Sequence, residues 1–336
     1  MPKIDINKKR GDPEARVDLE RFWEKVADLR ALDHLIMPLD WSQSIDSSSF
    51  RKFPEESDFF IPIGKADDGW ASYDLSIGTN LLAAGSMLSG VGMFLRVSLL
   101  HLIKNHAPEN FRVLLIDPVD NLADFDGIPH LLRPRVRSVE EGLEELDWLE
   151  SLYNKRSEEL REKGYPTIWK YQEEHGGASP GVPHILVVCS ELGEFFRVDK
   201  DKTNKVIVKS FCAPRGLGVY TLFATQQPDA EKFEVFKIAP AIAAFQMPYA
   251  KESKLFTGAE GAEELLGQGD MYFSFVGGED FKLLDKLKGF PGFDYENDSP
   301  LHRFRVQGLH VDLDKTRPMV EEACKSNKDK RASSNK

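Results

Sequence analysis

Apolar positions along this chain follow two rhythms. Some occur in short unbroken runs: Leu81–Ala84, FRVLLIDP from Phe111 to Pro118, HILVVCSE from His184 to Glu191, GVYTLFATQ from Gly218 to Gln226, and APAIAAFQM from Ala239 to Met247. Runs of this length, rich in β-branched and aromatic residues, predict buried strands. Elsewhere the apolar residues recur every three or four positions, which predicts helices with one inward face. Leu19, Phe22, Val26, Leu29 and Leu32 mark one helix over Asp18–Ile36. Phe94, Val97, Leu100 and Ile103 mark a second from Val91 on, and Leu143, Leu146, Leu149 and Leu152 a third from Val139 to Lys163. Phe59–Ile77 reads as two strands joined by the turn signal Asp67-Asp68-Gly69. Gly267–Phe275 leads into a late strand pair, closed by Leu301–Val311. Strands separated by helical stretches predict an α/β fold with a doubly wound, mostly parallel sheet and flanking helices.

The polar stretches set the boundaries. Residues 1–46 form an N-terminal helical extension, with a polar start and the apolar stripe of Asp18–Ile36, which reads as packing on the host domain or docking a partner. A Ser-, Asp- and Pro-containing connector follows from Trp41 to Asp58. The main domain spans 47–320, with a polar loop from Glu173 to Pro180, and 321–336 is a polar, basic tail. No internal repeat is visible.

One stretch joins the two rhythms directly. In LLAAGSMLSGVGMFLRVSLLHLI, a strand runs into a turn bracketed by Gly85 and Gly90 and then into a helix. Strand, glycine turn and helix make the frame of a P-loop, where backbone N–H groups and a helix N-terminus cradle phosphates. The glycine spacing fits, but Val91 stands at the lysine position and Gly92 at the Ser/Thr position. Those two groups place charge on the phosphates and ligate magnesium. A charge-assisted hydrogen bond contributes about 1.5–3 kcal/mol and ~1.4 kcal/mol is a factor of ten, so exchanging both removes on the order of two decades of affinity or more. Met87 and Leu88 suggest a turn packed against protein. A strand–turn–helix kept for its fold is the plainest reading.

Composition narrows the classes. The 336 residues are 41% apolar, enough for one large core. No apolar run reaches the ~18 residues that span a bilayer, and the N-terminus lacks the apolar core of a signal peptide. Three widely spaced cysteines, Cys189, Cys212 and Cys324, fit a reduced cytoplasmic protein without a metal cluster. A net charge of −11 argues against a broad nucleic-acid footprint, while leaving room for a small basic lining inside a ring.

Several segments resemble, in order, the RecA-like motor domain of the FtsK/SpoIIIE DNA translocases. SSSFRKFPEESDFFIPIGKADDG is similar to the family's entry segment, and LLAAGSMLSGVG sits where the family has its P-loop. LLIDP with FDGIPHLL, HILVVCSELGEF, LGVYTLFATQQP and GAEELLGQGDMYF match four further family segments. The resemblance covers about Ser47 to Val320 and implies a ring-forming P-loop ATPase fold.

Against the family pattern, the nucleotide-site positions are Gly85, Ser86, Ser89, Gly90, Val91, Gly92, Ser190, Thr225 and Gln226. Ser190 stands where the family has a magnesium-holding Asp, while Glu191 keeps the position of the water-polarising Glu. Without a metal beside it, Glu191 has little to act on, and it reads first as a solvated strand-end carboxylate, with the family's catalytic role as the alternative. Thr225 and Gln226 lie where the family senses phosphate, and read here as buried hydrogen-bonding residues. Gln227 replaces the usual arginine, and Ile238 and Ile242 replace an asparagine and an arginine. Arg215 sits where the family has an arginine reaching a neighbour's nucleotide; it reads either as such a trans arginine or as an ordinary interface residue. The resemblance therefore implies a subunit stripped of its nucleotide chemistry, with no cofactor and no metal, acting as scaffold or regulator. Its partners would be further copies of itself or an active paralogue in a ring, with DNA passing through. Two alternatives are an active magnesium-ATP-driven DNA translocase with an atypical P-loop, and a recognition domain for a peptide export signal in a type VII secretion-like motor.

Overall fold

The computed structural model describes residues 59–66, 69–176, 179–213, 216–229, 239–276 and 301–334. The N-terminal extension, its connector, Asp67, Asp68, Arg215, Ile238 and the two last residues lie outside the described residues.

The strands are β1 (Phe60–Ala66), β2 (Gly69–Asp74), β3 (Asn80–Ala84), β4 (Phe111–Ile116), β5 (His184–Cys189), β6 (Val219–Thr225), β7 (Ala241–Phe245), β8 (Asp270–Val276) and β9 (Leu301–Gly308). They form one sheet in the order β2-β1-β9-β8-β7-β3-β6-β5-β4. The half from β7 to β4 is parallel, and these strands are the unbroken apolar runs, as strands covered on both faces must be. The half from β2 to β8 is antiparallel, so the sheet is mixed. No helix long enough for a parallel crossover separates β1 from β2, and a tight turn can close only an antiparallel pair.

Alternate side chains of each parallel strand feed two cores. Leu81 and Ala83, Val113 and Leu115, and Leu186 and Val188 face one layer with α1 (Val91–Asn105). Leu82 and Ala84, Leu114 and Ile116, and Val187 and Cys189 face the other layer with α2 (Val139–Glu162). Helix α2 opens on Ser138, whose side chain accepts from Glu141 N, and buries the four predicted leucines. Shorter helices with little apolar periodicity were not legible in the sequence: α3 (Ile168–Glu174), α4 (Leu192–Val198), α5 (Lys200–Phe211) and α6 (Ala250–Thr257). Three of them start on side-chain caps, Thr167, Glu191 and Asp199. The stretch read as a tail from 321 continues a helix, α7 (Leu313–Ser334), which packs on α1 through buried Val320 and Ala323. No described helix is long and apolar enough to cross a membrane.

At the N-terminal ends of the parallel strands lies an aromatic layer. Phe59 stacks on His184 with ring centres 4.4 Å apart, and His184 Nδ1 is 2.9 Å from the Tyr220 hydroxyl. His130 donates through Nε2 to the His106 carbonyl at 2.8 Å, and His101 packs 4.4 Å from Phe60. Burial pushes His101 down to about 3 and His130 to about 4, so both are neutral in the folded protein. An unfolded histidine titrates near 6.5, so the stability from keeping these rings neutral is complete above that pH and is lost as pH falls towards 4. The urea midpoint will therefore fall between pH 6.5 and 4.5. The fall will be smaller in His130→Asn, which keeps a donor for the His106 carbonyl and cannot take a proton.

Candidate functional site

The glycine turn sits over the C-terminal edge of the parallel strands, where the register sets Ala84 beside Thr225 on one flank and Ala244 on the other. Its backbone is pinned to both neighbours. Gly85 N donates to Thr225 O at 3.2 Å and Ser86 N to Gln246 O at 2.7 Å. Ser89 N closes the turn on Ser86 O, and Ser89 O accepts from Gly269 N at 2.8 Å. Gly90 has φ +122°, and a Cβ there would lie 2.6 Å from Gly269 N. Only glycine tolerates both the backbone and the close approach. A Cβ on Gly85 would lie 2.5 Å from Ser89 Oγ, a buried hydroxyl with no hydrogen-bond partner.

Val91 opens α1 with its side chain in the core, 2% exposed. A Cβ on Gly92, the next residue, would meet Arg96 Nη1 at 3.5 Å and Asn121 Nδ2 at 4.0 Å, ordinary van der Waals contact. The expectation that Met87 and Leu88 pack against protein is overturned: they are 74% and 88% exposed, and Leu88 carries φ +65°. Among the described residues, a turn raised over the sheet edge has no neighbour on its outer side for these side chains to meet.

Two carboxylates follow β4 and β5, beyond β6 from the turn. Asp117, just past β4, accepts from Ser190 Oγ at 2.5 Å, Leu122 N at 2.8 Å, Asn121 N at 3.1 Å and Arg135 Nη1 at 2.8 Å. Arg135, itself buried, also pairs with Asp120 and Asp126, and holds the Asp126 carboxyl below its ordinary range. Glu191 caps α4. Its Oε1 accepts from Gly193 N at 2.8 Å and Thr225 Oγ1 at 2.7 Å, and its Oε2 from Gln226 N at 2.8 Å. Glu191 is thus buried, not the solvated strand-end carboxylate anticipated as one reading. Burial raises its carboxyl above the usual range, against the pull of those three donors. Thr225 Oγ1 also accepts from Gln227 N at 3.1 Å.

Beside the turn is an apolar cavity of about 630 Å³, bordered by Ile63, Leu88, Met93, Leu309 and Leu313, with Gln226 at its edge. Among the described residues one arginine reaches its wall: Arg96, bonded to Gly92 O, Asp124 and Asn121 O. Arg96 and Arg135 were not singled out from the sequence. Their partners are 25 or more residues away for Arg96 (Asn121, Asp124) and up to 18 away for Arg135, so no local pattern announces them.

Residues 55–268 match the model of the FtsK/SpoIIIE family. The chain belongs to this family. It is 28% identical over 253 residues to the DNA translocase FtsK of Lactiplantibacillus plantarum, covering 70% of this chain and 32% of that protein. It is 27% identical over 269 residues to the DNA translocase FtsK of Caldanaerobacter subterraneus, covering 79% and 37%. The chain thus spans about a third of the length of these FtsK relatives. Among solved structures, the cytoplasmic domain of the type VII secretion ATPase EccC from Thermomonospora curvata superposes with a TM-score of 0.63 at 22% identity, over 82% of this chain and 32% of that one. The pCW3 conjugation coupling protein TcpA, solved with ATPγS, gives 0.59 at 20% identity, over 80% and 72%. At these identities the structural likeness speaks for the fold alone: a mixed α/β architecture with a large central sheet and flanking helices.

Gly90→Ala will lower the thermal midpoint by several degrees, because a left-handed non-glycine backbone costs on the order of 1–3 kcal/mol before the contact with Gly269 is counted. Gly92→Ala will have the opposite sign. It adds a helix former where no atom lies closer than 3.5 Å, and about 0.5–1 kcal/mol separates alanine from glycine in a helix. Thermal denaturation followed by circular dichroism separates the two.

Proposed function

We propose that this chain is a translocase-motor domain without an ATP cycle of its own, serving as scaffold or regulator in a DNA- or protein-translocating ring. The observation that carries this reading is the state of its two strand-end carboxylates. A catalytic magnesium ion needs carboxylate or hydroxyl oxygens with free lone pairs beside the phosphates. Here Asp117 accepts from the Ser190 hydroxyl, two backbone N–H groups and a guanidinium, two donors on each oxygen, so its lone pairs are taken. Glu191 takes three donors of its own. At the head of α1 the side chain after Gly90 is a buried valine, and the next residue has no side chain. The residues present do not fit magnesium-ATP, although the glycine cradle is kept. Preserved architecture with its charges exchanged supports assembly with further copies or with an active paralogue, to whose site Arg215 would be lent.

A second reading has one observation in its favour. The cavity beside the turn is mostly apolar, and a structure of Thermomonospora curvata EccC that shares this fold was solved in complex with a signal sequence peptide. On this reading the domain recognises an apolar peptide segment where an active relative would hold nucleotide.

Isothermal titration of the purified chain with magnesium-ATP tests the main reading. Binding will be weaker than a dissociation constant of roughly 100 μM, about −5.5 kcal/mol. Tighter binding with magnesium-dependent hydrolysis abolished by Glu191→Gln would establish an active motor instead.

A further inference from the structure

We infer that the outer edge of the sheet, beyond β4, takes up an extended peptide segment that adds there as a further strand. On one face this segment carries two carboxylates flanking an apolar side chain. The edge lies three places along the sheet from β3 and the glycine turn, so the inference stands whether or not the turn takes nucleotide.

Strand β4 is the last of the sheet. A segment running beside it makes two isolated bridges, Val113 with Leu131 and Ile116 with Val136. Leu132 N donates to Val113 O at 2.8 Å and Val136 N to Leu115 O at 2.9 Å, while Asp117 N donates back to Val136 O at 2.8 Å. From bridge to bridge the segment advances five residues and β4 three, so it carries a bulge of two extra residues. Pro134, between the bridges, has no N–H to give. The N–H groups of Arg133, Arg135 and Arg137 have no hydrogen-bond partner among the described residues. Unpaired main-chain groups in a row along a sheet edge are a template for another strand.

The side chains along this edge specify the occupant. Arg135 is turned inward, 1% exposed, onto Asp117, Asp120 and Asp126, and anchors the edge to the end of β4. Arg133 lies over the Trp148 ring at 4.5 Å and donates through Nη1 to Glu145. Arg137 donates through Nη2 to Asp126. These two side chains stay 38% and 65% exposed, and the Nε and second Nη of each have no partner among the described residues. Such a fork takes a carboxylate. Between them is a hollow of about 510 Å³ with Ile128, Leu131 and Pro134 in its wall. A strand repeats each face every second residue, about 7 Å, so one face can offer acidic, apolar and acidic side chains in turn. A nucleic acid fits less well. It carries charge at every phosphate and would meet Asp120, 72% exposed, in a chain of net charge −11.

Fluorescence anisotropy of the full chain with a labelled peptide, Thr-Glu-Thr-Val-Thr-Glu-Thr, tests this, with Lys in place of both Glu as the control. The acidic peptide will bind with a dissociation constant below roughly 200 μM, and the lysine peptide about tenfold more weakly or worse. Arg133→Ala/Arg137→Ala will weaken the acidic peptide about tenfold or more, and Arg137→Ala alone, at an exposed side chain, will act in the same direction. Hydrogen exchange reads the main chain: the peptide will slow the amides of Arg133, Arg135 and Arg137, with those of β3 and β6 unchanged. Weaker binding than that limit, equal binding of the two peptides, equal binding by wild type and variants, or no slowing at the three amides overturns the inference. So does slowing there by a short DNA duplex in place of the peptide, which would make the edge a nucleic-acid site. Slowing that grows with protein concentration alone would assign the edge to a second copy and overturn it as well.

Discussion

The structure depends on a close approach of three backbones at the edge of the sheet. Ser89 O accepts from Gly269 N, and Gly269 O in turn accepts from Gly308 N, so the glycine turn, the loop before β8 and the end of β9 form one hydrogen-bonded stack. The stack closes only because Gly90, Gly269 and Gly308 carry no side chains where the strands cross. On the far side Gly64 of β1 lies so near Gln307 O that a Cβ would overlap it. This packing ties the antiparallel half of the sheet to the turn at the head of α1. It also makes the floor of the apolar cavity, whose remaining walls are the residues that follow Gly308 and the first turns of α1.

A second constraint acts from the other flank. Asp117 and Glu191 end neighbouring strands, and each is buried with a full set of donors. A buried carboxylate without partners is costly, and both possible remedies, a metal ion or protein donors, bring positive charge or N–H groups to the same oxygens. This protein uses Arg135 and a serine hydroxyl at Asp117, and backbone N–H groups with a threonine hydroxyl at Glu191. Their effect reaches further than the carboxylates. Glu191 holds the N-terminus of α4 to the end of β6, and Gln226, whose amide it accepts, stands at the cavity edge. The turn, the strand ends and the cavity are therefore mechanically one unit.

Much of this was legible from residue order. The unbroken runs at β3, β4, β5, β6 and β7 and the leucine spacing of α2 announced a covered parallel sheet, because burial on both faces leaves no polar positions. Helices α4 and α5 were not announced, since caps such as Glu191 and Asp199 set their starts more than any apolar stripe. The exposure of Met87 and Leu88 ran against their hydrophobicity, as a turn raised on glycines offers them nothing to pack on among the described residues. The helix through the supposed tail escaped notice because its inward residues, Val320 and Ala323, are few among charged neighbours.

By itself, the sequence determined the periodicities, the glycine frame of the turn and the ordered segments that mark the family, all of them patterns carried by near neighbours. The tertiary structure alone decided what the polar residues at the strand ends do. Ser190 meets Asp117 across 73 positions and Thr225 meets Glu191 across 34. Hydrogen bonds between residues so far apart leave no local signature, and only the register of parallel strands brings their donors and acceptors to one edge.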